Sequence, residues 1–144
     1  MSLSEPVKEF GGKLDRTENQ QMIDFLKQHQ PSAHADLVRL LVESTEDLPS
    51  IKFYCPDTDN HAYYLARTTD GVIFAAAIGM SALMYRLPKQ SMSGALVKGG
   101  EIFQELGEPW VSFNPFWPDE EHKDSVNMPE MKQWAKLAFH YAQS

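Results

Sequence analysis

Between Asp70 and Arg86 the chain runs for fifteen residues, Gly71 to Tyr85, without a charged side chain. As a helix this run would span about 22 Å, short of the roughly 30 Å hydrocarbon core of a bilayer, so it reads as protein interior rather than a membrane span. Its first half, Val72 to Ile78, is apolar at every position, as a strand covered on both faces requires. Gly79-Met80-Ser81 then supplies a bend, and Ala82 to Leu87 forms a further strand that stops at Pro88. The three alanines leave a helix over 72–84 as the open alternative.

The flanking periodicities place the remaining elements. Upstream, Thr17 and Gln20 have the spacing of a capping box, and Met22, Phe25 and Leu26 follow on one helical face up to about His29. Pro31 breaks that helix, Ser32 is positioned to cap a second, and Leu37, Val38, Leu40, Leu41 and Val42 give it a broad apolar stripe before Leu48-Pro49. The period then changes from 3.6 to 2. Ile51, Phe53 and Cys55 alternate with Lys52 and Tyr54, 56–60 is a turn by composition, and His61 to Arg67 reads as a second strand joined to the apolar run through Thr69-Asp70-Gly71. After Pro88 a helix over about 90–98 ends at Gly99-Gly100, Trp110 to Phe113 suits a short strand, and Asn127 caps a last helix. Its predicted buried stripe is Met131, Trp134, Ala135, Ala138, Tyr141 and Ala142.

The expected architecture is therefore α+β: an antiparallel meander of four or five strands, two N-terminal helices, and C-terminal helices on one sheet face. A flexible segment over 1–16 precedes a single domain over 17–144, a usual domain size. Residues 50–144, through the segments LMYRLP, KGGEIF and MKQWAKLAFHYA, resemble the small α+β domains of the TfoX N-terminal and YjbR-like group. The Met-Phe-Gly-Gly segment associated with the TfoX side is absent, Ile51 to Cys55 standing in its place. The resemblance implies a fold and a regulatory or DNA-binding role without an enzymatic site.

Twenty acidic residues against thirteen basic ones give a net charge of −7, which disfavours a broad phosphate-binding surface. Only the middle of the chain, 48–100, is net basic, through Lys52, Arg67, Arg86, Lys89 and Lys98. The single cysteine, Cys55, excludes an internal disulfide and a CxxC zinc or redox pair, and the opening residues lack a signal-peptide pattern, so a cytoplasmic location is expected. No HxH or HExxH spacing occurs, and Asp57-Thr58-Asp59-Asn60 lacks the glycine and glutamate of a calcium loop, so neither a metal nor a cofactor is expected.

Three function classes remain. The preferred one is a non-catalytic regulatory or adaptor module that binds a protein partner or a small ligand through its sheet and an aromatic loop. Trp110, Phe113, Phe116 and Trp117 crowd eight residues, and strand alternation cannot bury all four on one face, so some would be exposed; a loop plugging one open end of the sheet is the competing reading, and the one the residues favour. Tyr54, Tyr63, Tyr64 and Tyr85, with Arg67 and Arg86, would add rings and charge on an open sheet face. The second class, a weak nucleic-acid-binding module, uses Lys52, Arg67, Arg86 and the tyrosines, against the unfavourable net charge. The third is a small enzyme using Cys55 with His61, or a metal held by Asp119, Glu120, Glu121, His122 and Asp124. A small apolar core cysteine and a solvated acidic loop are the competing readings of those residues.

Overall fold

The computed structural model describes residues 16–29, 33–54, 63–115 and 128–143. Among them six strands form one open antiparallel sheet: β1 (Lys52–Tyr54), β2 (Tyr64–Arg67), β3 (Ile73–Ile78), β4 (Ala82–Arg86), β5 (Glu101–Ile102) and β6 (Trp110–Phe113), in the order β1-β2-β3-β4-β6-β5. Four α-helices accompany them: α1 (Gln20–His29), α2 (Ala35–Ser44), α3 (Lys89–Val97) and α4 (Met128–Gln143). The α+β class is as the periodicity predicts and β1 to β4 run as a meander, but the sheet has six strands rather than four or five, and β4 pairs with β6, which leaves β5 at the edge. Residues 72–84 contain strands, which closes the helical alternative.

Both faces of the sheet are covered. Tyr64, Ala66, Ala75, Ala77, Leu83, Tyr85, Val111 and Phe113 lie on one face, under α2, α4 and the buried Met92 and Ala95 of α3. Leu65, Ile73, Ala76, Ile78, Met84 and Trp110 lie on the other, against Met22, Ile23, Phe25 and Leu26 of α1. This two-sided cover explains why all six residues of β3 are buried. The strand also carries a bulge: Ala66 pairs with Ala75 and Arg67 with Ile73, so Phe74 is the extra residue. Phe74 and Ala75 consequently enter the same core layer, where the Phe74 ring meets Phe139 edge-on at 5.6 Å.

Several local details differ from the sequence reading. Thr17 lies inside a 3₁₀ turn, Thr17–Asn19, that leads into α1 without a side-chain cap. The fully buried residue there is Asn19, whose Nδ2 donates to the Gly71 carbonyl at 2.7 Å while its Oδ1 accepts from the Ile73 N–H at 2.8 Å. It thus fastens the start of α1 to the β2–β3 turn. Helix α2 is capped by His34, whose Nδ1 accepts from the Asp36 N–H at 3.0 Å and whose own N–H bonds the Gly79 carbonyl; Ser32 lies outside the described residues. Val42, expected in the apolar stripe of α2, is exposed.

The Gly99-Gly100 stop is made by two different mechanisms. Gly99 has φ 96°, the left-handed conformation that favours glycine, whereas Gly100 is required by space, since a Cβ there would meet Val111 Cγ1 at 2.7 Å and the Ala95 carbonyl oxygen at 2.9 Å. The turn delivers the chain into the two-residue strand β5. On α4, Phe139 takes a buried position, and Tyr141, assigned to the buried stripe, sits half-buried at its margin.

Candidate binding cleft

The two-sided cover decides the fate of the aromatic residues. In β6 alternation sends Trp110 into the core beneath α1 and Phe113 into the core beneath α4, where its ring stacks on Trp134 at 5.7 Å. Neither Trp110, Phe113 nor Tyr85 has any accessible surface, so the expectation that they form a contact surface is corrected: each packs the interior. A sheet with one bare face would have exposed one set; this sheet has none to spare. Tyr63 is buried as well, and Tyr64 is half-buried with its ring tilted on Phe53 at 6.2 Å. Phe116, Trp117, Cys55, His61, the side chain of Tyr54 and the 119–124 acidic loop lie outside the described residues.

Three of the five basic residues of the middle segment, Lys52 and its strand partner Arg67 together with Arg86 on β4, lie at one end of the sheet. They do not form an open cationic surface. Arg67 is only 9% exposed and donates from Nη1 to the Thr68 carbonyl at 3.2 Å, while the Arg86 guanidinium lies 4.7 Å from the centre of the Tyr141 ring. At the same end Arg16 binds Glu18 at 3.2 Å and donates to the Asp70 carbonyl. The hydrogen bond from Arg16 holds the Glu18 carboxyl below the usual carboxylate range.

A cleft of about 440 Å³ lies elsewhere, between the C-terminal end of α2 and the outer side of α4. Leu48, Pro49 and Phe139 supply its apolar lining, Ser44 part of its inner wall, and Asp47, Lys132, Lys136 and His140 its charged and polar rim. The elements impose this arrangement. Positions 132, 136 and 140 recur every four residues and so form one stripe along α4, and the packing of α4 against α2 brings that stripe to the 44–49 turn.

Most polar groups around the cleft are already engaged. Ser44 Oγ donates to the Leu41 carbonyl at 3.0 Å and accepts from the Tyr85 hydroxyl at 2.8 Å, and Thr45 Oγ1 donates to the Leu41 and Val42 carbonyls, so the last turn of α2 is closed by its own side chains. Burial pushes the Tyr85 phenol well above its ordinary range, partly offset by the Ser44 bond, so it remains a neutral donor. Lys132 bonds Glu46 at 3.0 Å and Asp47 at 3.3 Å, and those bonds raise its own pKa. The bridge also places a cation at the C-terminal end of α2, where the helix dipole favours one.

Sequence reasoning did not single out this cleft. The only signal for it is the Lys132, Lys136, His140 spacing, which reads equally as the solvated side of an amphipathic helix. Among the described residues no helix is long and apolar enough to cross a membrane, and no group of three or more His, Cys, Asp or Glu side chains is placed to hold a metal ion. No protein-family model, curated protein or solved structure matches the chain.

Proposed function

We propose that the protein is a non-catalytic binding module whose contact site is the α2–α4 cleft. The observation that carries this reading is a concave, largely apolar lining with a few polar groups at its rim, the common form of a small-ligand site. The commitments of the inner groups support holding rather than chemistry. Ser44 has its proton on the Leu41 carbonyl, and Tyr85 has its own on Ser44, so neither is poised as a nucleophile or base. The resemblance to the TfoX N-terminal and YjbR-like group points to a regulatory role of the same kind.

The reading is tested by amide chemical shifts of the isotope-labelled protein during titration with a mixed set of anionic, cationic and neutral aromatic fragments. At least one fragment is expected to give saturable shifts concentrated at residues 44–49 and 132–140. Shifts scattered over the surface, or none, would discard the cleft as the binding site.

A further inference from the structure

The charges at the cleft are segregated along α4. At the end nearer its N-terminus, Lys132 gathers Glu46 and Asp47, both more than half exposed to solvent, so this cluster is satisfied internally and screened by water. One turn further on is Lys136, and one turn beyond that is His140. Among the described residues Lys136 enters no ion pair, and it lines the same cleft as Leu48, Pro49 and Phe139. The His140 imidazole adds a ring N–H donor on the same stripe.

An apolar pocket with unmatched donors at one end complements a ligand that has a hydrocarbon body and one anionic oxygen group. We infer that the cleft takes a small apolar carboxylate, its carboxylate on Lys136 with His140 beside it and its hydrocarbon against Leu48, Pro49 and Phe139. This rests on the cleft being the binding site, and adds the ligand class. The volume of about 440 Å³ suits a ligand of one or two rings. Because the chain carries a net charge of −7, attraction of anions by the molecule as a whole is not expected, and any preference for a carboxylate must be local to the rim.

The experiment titrates the full chain with three probes of one shape, benzoate, benzyl alcohol and benzylamine, reading amide shifts at residues 44–49 and 132–140. Benzoate is expected to bind most tightly. Lys136→Gln, at an exposed site, should weaken benzoate about tenfold, the loss expected for one charge-assisted hydrogen bond, while leaving benzyl alcohol unchanged, and Lys136→Arg should retain most of the benzoate affinity. If benzylamine or benzyl alcohol binds the cleft at least as well as benzoate, or Lys136→Gln leaves benzoate unaffected, the carboxylate assignment is overturned and the cleft itself survives. If none of the three moves these residues while other fragments do, the assignment again fails alone; if no fragment of any charge moves them, the cleft reading fails with it.

Discussion

Asn19 offers the sharpest test of how this fold is held together. It has no accessible surface, and its side chain bonds both the Gly71 carbonyl and the Ile73 N–H, two backbone groups at the β2–β3 turn. Replacing it with alanine would orphan a buried donor and a buried acceptor, each costing about 1–3 kcal/mol. Water admitted to the vacated space would recover part of this, so we expect a loss of about 3 kcal/mol. For a typical domain stability of about 5–15 kcal/mol that is a large fraction. With a urea dependence of about 2 kcal/mol per molar, the unfolding midpoint should fall by about 1.5 M. Asn19→Asp separates the two bonds: it keeps an acceptor for Ile73 but turns a carboxylate oxygen toward the Gly71 carbonyl. Burial and that carbonyl would raise the folded pKa of the new carboxyl above its unfolded value near 4, so the native state would bind the extra proton first. The stability of the aspartate variant relative to wild type should therefore rise as pH falls from the folded pKa toward about 4, when the protonated group can donate again. Denaturant curves at two pH values read both effects. An alanine variant within about 0.5 kcal/mol of wild type would refute the claim that this side chain fastens α1 to the sheet.

Three further outcomes follow from other positions. Tyr85 is raised well above its unfolded pKa near 10, so stability should fall by up to about 1.4 kcal/mol per pH unit above pH 10, and Tyr85→Phe should flatten that fall in alkaline denaturation curves while costing about 1 kcal/mol at neutral pH through the lost bond to Ser44. Ser50 adopts φ 57°, so Ser50→Gly should stabilise the protein by about 0.5–1 kcal/mol in thermal unfolding; no gain would mean the loop relaxes without cost. Gly100→Ala should cost about 1–3 kcal/mol because the added methyl meets the Ala95 carbonyl oxygen, a backbone atom that cannot swing away, and a neutral result in the same assay would contradict that packing.

The fold was legible wherever one residue pattern had one physical solution. The charge-free run had to supply interior strands on either side of its bend at 79–81, where Met80 is exposed, and the change of period at Ile51 had to be a change from helix to sheet. What escaped depended on partners distant in the chain. Asn19 lies 54 residues from Ile73, and nothing near position 19 marks it as anything but a turn former. The His34 cap uses a ring nitrogen where a hydroxyl at Ser32 was the stronger local signal. The aromatic cluster misleads for a more general reason: the argument that Trp110, Phe113, Phe116 and Trp117 cannot all be buried on one face is sound, but it assumes one covered face. Helix α1 supplies the second, and Trp110 and Phe113 divide between the two. The cleft was the least legible part, since its two walls are separated by more than eighty residues and meet only through the packing of α2 and α4.

The bulge at Phe74 gives the sheet an unusual tolerance to change in length. Because Ile73 and Ala75 already point to opposite faces, removing Phe74 would leave every other β3 side chain in its present layer, in contrast to a deletion inside a regular strand, which inverts all residues beyond it. The loss would be that of one fully buried ring, including its contact with Phe139, at a cost of about 3–5 kcal/mol. This interior strand thus contains a point at which one residue can be lost without inverting the rest of the strand, where sheets ordinarily forbid it.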